Sequence, residues 1–140
     1  MIRLAKIDDV DYINELGLLL NDNFKDTYDI KKYVDNQIDK VFVFEDEQIK
    51  GFIIIEDLEE EIDILSIVVN PKYRRNHIAT NLIDYVISNA KMTQKQIILE
   101  VASKNEGAIN LYNNFGFKAI NIRKNYYKDD DAIIMVRGLY

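Results

Sequence analysis

Residues 68–79 read Val-Val-Asn-Pro-Lys-Tyr-Arg-Arg-Asn-His-Ile-Ala and connect an apolar segment to a helical pattern. The preceding residues, 62–69, are rich in Ile and Val and predict a strand, which Pro71 ends. After the loop, apolar side chains recur at helical spacing at positions 78, 82, 83, 86 and 87. A strand, a basic loop and a helix start are the parts of an anion site, because the first helical turn carries unpaired N–H groups and partial positive charge.

The loop itself carries two adjacent cations, Arg74 and Arg75. An arginine fork matches the geometry of a phosphate group, and the small Ala79 would let a ligand approach the backbone. Two arginines before a helix are, however, also typical of a solvated surface. The loop alone therefore leaves both interpretations open.

Further elements are predicted on both sides of this loop. Upstream, we expect strands at 2–6, 41–44 and 49–56, a helix beginning near Asp8, a polar loop at 21–29 and a shorter helix from Ile30 to Ile38. Downstream, we expect a strand at 97–101, a helix beginning at Asn105 and ended by Gly116, and strands at 117–125 and 132–136.

This order of elements predicts an α/β (α+β) fold with a mixed central sheet of about seven strands and about four flanking helices. Consecutive hairpins indicate antiparallel pairing, while the strand–helix–strand unit at 62–101 indicates a parallel pair with a crossover connection. No repeat, linker or low-complexity tract interrupts the chain. We therefore predict one domain over residues 1–140.

The composition excludes several classes of site. The 140 residues are 48% hydrophobic and 30% charged, which is an ordinary globular balance. The absence of Cys excludes thiol catalysis, thiolate zinc sites and disulfides, and a single histidine, His77, excludes a multi-histidine metal site. We expect no metal. No leader pattern and no apolar run of roughly 18 residues is found, so we expect a cytoplasmic protein with no membrane segment.

The net charge of −6 indicates which binding partners the protein favours. A negative protein is repelled by phosphate backbones, which disfavours nucleic-acid binding, and it can attract a cationic partner such as an amine or a basic peptide. Solubility alone also explains the charge. The acidic segment 56–61 is interpreted as a solvated hairpin tip, with an electrostatic lure for a basic substrate as the alternative.

The loop resembles the acetyl-CoA motif of the GNAT N-acetyltransferase superfamily, Arg/Gln-x-x-Gly-x-Gly/Ala after a strand that ends in an apolar-x-Pro pattern. Arg74 and Ala79 match the first and last positions of that motif. His77 stands where glycine is usual. A histidine can offer its backbone N–H there if its φ is negative, since only a positive φ strongly favours glycine.

A second resemblance lies downstream. Residues 99–117 contain Leu-Glu-Val, Asn-Glu, Ala-Ile, Leu-Tyr and Phe-Gly-Phe at the spacing of the later motif of the family. The tail at 122–127 and 131–135 is similar to that of the ribosomal-protein-alanine N-acetyltransferase (RimI-type) branch. The resemblance covers about residues 62–136, and the first sixty residues match only in element order, so the acceptor is less well defined than the chemistry.

The resemblance implies transfer of acetyl from acetyl-CoA to an amine, with Glu100 as general base and Tyr112 as the acid that protonates the leaving thiolate. Without it, Glu100 is a polar residue at a strand end, Tyr112 a packing residue, and Asn105 a helix N-cap. It also implies that the strands carrying Val69 and Glu100 splay to form a cleft. The implied cofactor-binding residues are Ile67, Val68, Val69, Arg74, Arg75, Asn76, His77, Ile78, Ala79, Thr80, Asn105, Ala108 and Tyr112.

The acceptor implied by the resemblance is a protein N-terminal α-amine, that of a ribosomal-protein alanine. Tyr126 and Tyr127 either line the peptide groove or pack in a strand, and the sequence does not separate the two. Two alternatives stay open, a small-amine acetyltransferase for polyamines or aminoglycosides, and a non-catalytic acyl-CoA-binding module. We expect a monomer or a weak homodimer.

Overall fold

A computed structural model describes residues 1–36, 38–127 and 129–139. In these residues there are short 3₁₀ turns at Ile7–Asp9 and Pro71–Tyr73. The α-helices are α1 (Val10–Leu20), α2 (Phe24–Thr27), α3 (Ile30–Val34), α4 (Ile78–Ser88) and α5 (Glu106–Asn114). The strands are β1 (Ile2–Leu4), β2 (Asp39–Asp46), β3 (Gln48–Asp57), β4 (Glu61–Val69), β5 (Gln96–Ala102), β6 (Lys118–Tyr127) and β7 (Asp130–Gly138).

The seven strands form one mixed sheet in the order β1-β2-β3-β4-β5-β7-β6. β1 with β2, β2 with β3, β5 with β7 and β6 with β7 pair antiparallel. β4 and β5 pair parallel, from Glu61 opposite Gln96 to Ile64 opposite Leu99. The predicted α/β fold with a mixed seven-stranded sheet and a parallel pair around the basic loop is therefore confirmed.

The chain divides into two compact units. The first consists of Met1–Asp57 and Ser66–Asn89, and the second of Leu58–Leu65 and Ala90–Tyr140. β4 contributes its first half to the second unit and its last four residues to the first. Each unit is described by itself below.

In the first unit, β3 is buried on both of its faces. Phe52–Ile55 are at most 4% exposed, a continuous run that is typical of a central strand. The Phe52 ring contacts the Phe24 ring of α2 with centroids 5.6 Å apart, whereas its neighbour Gly51 faces Ile78 of α4. Because successive side chains of a strand point to opposite faces, α2 and α4 cover opposite faces of β3.

Gly51 allows α4 and the end of β4 to approach β3 closely. A Cβ added at Gly51 would lie 2.9 Å from the Val68 carbonyl oxygen and 3.0 Å from Ile78 Cγ2. α4 itself is fixed by its apolar stripe, Ile78, Leu82, Ile83 and Val86, which is at most 3% exposed. The start of α4 is therefore held against β3 by packing.

The second unit is built on β5 and β7. Its core contains Ile62, Ile64, Ile97, Leu99, Val101, Phe117, Ala132, Ile134 and Met135, all at most 8% exposed. The connection before β4 is tied down by the Gln94 side chain, whose Nε2 donates to the Leu58 carbonyl at 2.7 Å. Glu59 and Glu60 in this acidic segment are exposed, in agreement with a solvated tip.

Two helix predictions were wrong. The polar stretch at 21–29 is not all loop, because α2 forms within it and buries Phe24 to 1% exposure. Phe24 is one apolar residue among polar neighbours and gives no periodic signal, yet its ring packs on Gly17 of α1. α3 ends at Val34 and does not reach Ile38, which is 49% exposed. The helices therefore number five in the described residues, against about four predicted.

Candidate active site

The end of β4, in the first unit, presents backbone donors next to the basic loop. The Asn70 amide donates to the Lys50 carbonyl of β3 at 2.8 Å. Because consecutive amides of a strand point in opposite directions, the Val69 N–H points away from β3. Val68 is buried, while Ile67 and Val69 on the other face are half-buried. The Val69 N–H is thus directed away from the β3 ladder, and Val69 is one of the cofactor-binding residues that the family resemblance implies.

The chain leaves β4 through a turn that the sequence specifies. The Asn70 side chain accepts a hydrogen bond from the Lys72 amide at 3.0 Å, which caps the 3₁₀ turn Pro71–Tyr73. Pro71 has the fixed φ that suits the first position of such a turn. Arg74 then returns to an extended conformation, with φ −62° and ψ 153°. This short turn sets where the two arginines stand.

Two residues of the loop adopt a left-handed backbone conformation. Arg75 has φ +70° and His77 has φ +60°. The condition under which a histidine would fit easily at position 77, a negative φ, is therefore not met. The left-handed conformation explains why glycine is usual at this position of the family motif, since an L side chain there costs roughly 1–2 kcal/mol. Histidine is among the non-glycine residues that tolerate it best.

The N-terminus of α4 offers unpaired donors. The first intrahelical hydrogen bond runs from the Asn81 amide to the His77 carbonyl at 3.0 Å, so the amides of Ile78, Ala79 and Thr80 precede it. The His77 side chain makes no capping hydrogen bond. Arg74 to His77 are exposed, whereas Ile78 is buried and anchors the turn. Successive amides in a loop with left-handed residues form a concave anion site, and the arginines add positive charge beside it.

We expect His77→Gly to leave the stability unchanged or to raise it by up to about 1 kcal/mol, because relief of left-handed strain offsets the greater freedom of glycine in the unfolded chain. His77→Val should destabilise by about 1–2 kcal/mol or more, since a β-branched residue is poorly tolerated at φ +60°. The free energy of unfolding of both variants is measured by urea denaturation, provided that the dependence on urea concentration (the m-value) does not change. Equal midpoints for the glycine and valine variants would show that residue 77 is not held in this conformation.

In the second unit, Glu100 lies on β5 opposite Ile134 of β7. Its side chain is 30% exposed and forms an ion pair with Arg123 of β6, in which Arg123 Nη1 lies 3.3 Å from Glu100 Oε1. A carboxylate that is reachable from solvent and held by one cation can accept a proton from an amine. The structure is compatible with the base role and with that of a polar strand residue.

Asn105 begins α5 as its N-cap. Its Oδ1 accepts the Ala108 amide at 3.2 Å, which occupies the oxygen and leaves Nδ2 as the donor of the same side chain. The preceding turn is held by Asp130, whose Oδ2 accepts the Lys104 amide at 2.8 Å and whose Oδ1 accepts the Ser103 hydroxyl. Asn105 is exposed and Ala108 half-buried, so a capping role and a cofactor contact are compatible.

Tyr112 is fixed by the end of α5. The Gly116 amide donates to Asn113 and the Phe117 amide to the Tyr112 carbonyl, both at 3.0 Å, and Gly116 has φ +88°. This is a Schellman ending, and the Tyr112 and Phe117 rings make its apolar contact with centroids 5.8 Å apart. The sequence prediction that Gly116 ends this helix as a C′ residue is confirmed.

The same packing controls the acidity of Tyr112. Burial raises the pKa of the Tyr112 phenol to about 12, and the nearby Tyr127 phenol contributes in the same direction. Because the shift favours the neutral form, Tyr112 carries its proton throughout the physiological range. A protonated phenol held in place is what a general acid requires.

Tyr126 and Tyr127 end β6 and contact each other edge to face, with centroids 5.2 Å apart. They are 54% and 36% exposed, so neither is a core residue. The Arg123 guanidinium lies 5.5 Å from the centre of the Tyr126 ring. Sequence reasoning missed Arg123, because its contact with Glu100 depends on pairing across β7 and no local spacing encodes it.

The predicted site residues therefore fall into two groups by unit. The first unit carries Ile67, Val68, Val69, Arg74, Arg75, Asn76, His77, Ile78, Ala79 and Thr80. The second carries Glu100, Asn105, Ala108, Tyr112, Tyr126 and Tyr127. Within each unit the structure brings the members onto neighbouring turns or strands, and their roles stay predictions.

Residues 6–117 match the sequence profile of the acetyltransferase (GNAT) family. This chain belongs to the GNAT family. Members of the family use acetyl-CoA. This agrees with the start of α4, where the amides of Ile78, Ala79 and Thr80 precede the first intrahelical hydrogen bond. The GNAT resemblance of the basic loop and of the region after β5 is thereby confirmed.

Two curated GNAT relatives are similar over most of the chain. The N-alpha-acetyltransferase of Saccharolobus solfataricus is 29% identical, with 99% of this chain and 92% of that protein aligned. The [ribosomal protein bS18]-alanine N-acetyltransferase of Escherichia coli K12 is 32% identical over 75% of this chain and 76% of that protein. The chain is thus an acetyltransferase of the GNAT family.

The crystal structure of the ribosomal-protein-S18-alanine N-acetyltransferase from Escherichia coli superposes with a TM-score of 0.80 at 24% identity. The match covers 99% of this chain and 93% of that one, and it shows a shared GNAT fold. Among the described residues, no helix is both long and apolar enough to cross a membrane. In the same ranges, no group of three or more His, Cys, Asp or Glu side chains is placed to hold a metal ion.

Proposed function

We propose that this protein transfers acetyl from acetyl-CoA to the α-amine of a protein N-terminus, with an N-terminal alanine of a ribosomal protein as the acceptor. The observation that carries the proposal is the neutral Tyr112, held by the Schellman ending of α5 in the same unit as an accessible Glu100. The names of the two curated relatives favour an N-terminal acceptor.

In this proposal the first unit binds the pyrophosphate of the cofactor. The amides of Ile78, Ala79 and Thr80 receive the pyrophosphate, and Arg74 and Arg75 add charge beside it. When bound, acetyl-CoA supplies the acetyl group as a thioester. The Val69 amide donates to the acetyl carbonyl, and Asn105 Nδ2 provides a further donor.

Glu100 takes the proton of the acceptor, directly or through a water. A free α-amine has a pKa of about 8, against about 10.4 for a lysine side chain, so a neutral amine is easier to obtain at an N-terminus. An accessible carboxylate paired with Arg123 is adequate for that task. A lysine acceptor would make a greater demand on the base.

Tyr112 delivers a proton to the departing sulfur. Its pKa near 12 lies above that of an ordinary thiol, about 8.5, so the phenol does not simply lose its proton to a free thiolate. Tyr112 therefore donates a hydrogen bond to the sulfur while the carbon–sulfur bond breaks, and the thiolate takes up the phenol proton as solvent water returns one to Tyr112, so that CoA leaves as the thiol. Tyr126 and Tyr127 are proposed to contact the first residues of the acceptor peptide.

Mass spectrometry of an N-terminal peptide panel after incubation with acetyl-CoA tests the proposal. We expect acetylation of the α-amine of alanine-starting peptides, and none when that amine is blocked but an internal lysine is free. Transfer to polyamines or aminoglycosides with no peptide product would replace the proposal with the small-amine alternative. Binding of acetyl-CoA without consumption of any acceptor would leave the non-catalytic module.

A further inference from the structure

A bulge interrupts the pairing of β6 with β7 in the second unit. The regular register of the two strands ends at Arg123 and resumes at Tyr127. Residues 124–126 of β6 therefore stand against one residue of β7, Asp131. Within the bulge, Asn125 has φ +55°, a left-handed conformation that asparagine tolerates better than most side chains. A bulge bends its strand and redirects the side chains beside it.

The bulge brings two tyrosines to one side of β6. Tyr126 and Tyr127 are consecutive, and consecutive side chains of a regular strand point to opposite faces. Their rings nevertheless contact each other edge to face, with centroids 5.2 Å apart. In a regular strand the backbone would separate the two rings, so the aromatic pair depends on the bulge.

The aromatic pair lies beside the proposed catalytic groups of the same unit. Tyr127 pairs with Asp130 of β7, and Glu100 pairs with Ile134 of the same strand. Because paired residues share a face, as do residues an even number apart, Tyr127 and Glu100 project from the same face of the sheet. Burial raises the pKa of Tyr112, and the neighbouring Tyr127 phenol adds to that rise. The pair therefore stands on the face that carries the proposed base and close to the proposed acid.

Asp131 holds the bulge in place. Its Oδ1 accepts the Asn125 amide at 2.8 Å, a hydrogen bond that the interrupted ladder cannot supply. The Asp131 carbonyl accepts the Ser103 amide at 2.9 Å, so Asp131 is itself anchored to the end of β5. A hydrogen bond to a charged group is about twice as strong as a neutral one. The carboxylate thus ties the bulge to the β5–β7 core.

We propose that Asp131 is a positioning residue of the acceptor site: its carboxylate holds the β6 bulge through the Asn125 amide, and the bulge keeps Tyr126 and Tyr127 together where the acceptor binds. The inference rests on the proposed contact of the two tyrosines with the acceptor. In this role Asp131 touches neither the acceptor nor acetyl-CoA. Its loss therefore weakens acceptor binding and leaves the binding of acetyl-CoA unchanged.

The test compares Asp131→Ala, which removes the hydrogen-bond acceptor, with Asp131→Asn, which keeps an oxygen on a side chain of the same length. Asp129→Asn is the matched control, because it neutralises an exposed carboxylate of the same hairpin and leaves the Asp129 carbonyl bonded to Lys104 Nζ. Each variant is assayed with an alanine-starting peptide and with a small monoamine. Calorimetry measures acetyl-CoA binding, and NMR follows hydrogen exchange of the Asn125 amide.

We expect Asp131→Ala to raise the KM of the peptide about tenfold, with changes of less than about twofold in kcat and in acetyl-CoA affinity. Exchange of the Asn125 amide should accelerate about tenfold or more, since its hydrogen bond is lost. Asp131→Asn should stay within about threefold of wild type in both quantities, because an amide oxygen still accepts the hydrogen bond. Asp129→Asn should match wild type.

A double-mutant cycle separates positioning from a merely structural role. In an enzyme that carries both Tyr126→Ala and Tyr127→Ala, Asp131→Ala should change the peptide KM by less than about twofold, because the side chains through which Asp131 acts are gone. A structural contribution would instead add to the effect of the tyrosine substitutions.

Four results would overturn the inference. The first is a wild-type peptide KM in Asp131→Ala. The second is the full effect of Asp131→Ala without the two tyrosines, or an equal loss of acetyl-CoA affinity, either of which would make its role structural. The third is an Asn125 amide that exchanges equally fast in wild type and in Asp131→Ala. The fourth is a lack of turnover with both acceptors.

Failure of the proposed function gives a different result. Turnover of the monoamine but not of the peptide contradicts the proposed N-terminal acceptor. The KM of the monoamine, measured in the same double-mutant cycle, then decides whether Asp131 positions the acceptor site.

Discussion

Glu100→Gln is expected to lower kcat by about 10²–10⁴ while the affinity for acetyl-CoA changes less than about twofold. Glutamine keeps the size of the side chain and can still hydrogen bond, but it cannot accept the acceptor proton. The loss of the Arg123 ion pair adds little, because both partners are partly exposed and such pairs contribute at most about 1 kcal/mol. Steady-state kinetics with an alanine peptide, together with calorimetric titration of acetyl-CoA, separates the two quantities.

The matched control is Glu15→Gln, which removes one exposed carboxylate from α1 and leaves the proposed chemistry untouched. It should keep the wild-type kcat. If Glu100→Gln also keeps more than about half of the wild-type kcat, Glu100 is a polar strand residue and another group accepts the proton. A parallel fall in acetyl-CoA affinity would indicate damage to the fold near β5.

Tyr112→Phe is expected to lower kcat by about a hundredfold or more, with a smaller effect on acetyl-CoA binding. Phenylalanine preserves the ring contact with Phe117 and the Schellman ending, so the variant removes the hydroxyl alone. Tyr85→Phe is the control, because Tyr85 is another half-buried tyrosine that packs on Phe42 and has no proposed chemical role. Equal losses in turnover and in acetyl-CoA affinity would make Tyr112 a structural residue.

The raised pKa of Tyr112 adds a pH signature to this variant. The unfolded phenol ionises near pH 10 and the folded one near 12, so the stability due to this group is complete below pH 10 and is lost between pH 10 and 12. A shift of two units corresponds to about 3 kcal/mol. Relative to wild type, Tyr112→Phe should therefore lose less stability over that window in urea titrations. Identical pH dependences would show that the phenol is not protected.

Local sequence was sufficient where local chemistry specifies the structure. Asn70 and Pro71 encode the turn that leaves β4, and Asn105 and Gly116 encode both ends of α5. Runs of Ile and Val encoded the central strands, and the apolar stripe from Ile78 onward encoded α4. Motif resemblance then identified the family that the match over residues 6–117 shows.

Prediction from local sequence failed where a helix is stabilised by residues distant in the chain. Phe24 sits in a polar stretch, and α2 forms because that ring packs on Gly17 and Phe52. Tertiary energy of this kind outweighs weak helix propensity in a helix of four residues.

The arrangement of strands accounts for the remaining differences. The amino-acid sequence alone shows a histidine where glycine is usual. In the folded loop this residue, His77, has a φ of +60°. The sequence also shows an unremarked arginine in the tail, whereas pairing of β5, β7 and β6 brings Arg123 over Ala132 to Glu100. The sequence by itself thus determined the strands, α4, both ends of α5 and the family, because those depend on neighbours along the chain. The backbone angle at His77 and the partner of Glu100 were decided only by tertiary structure, because they depend on contacts between segments far apart in sequence.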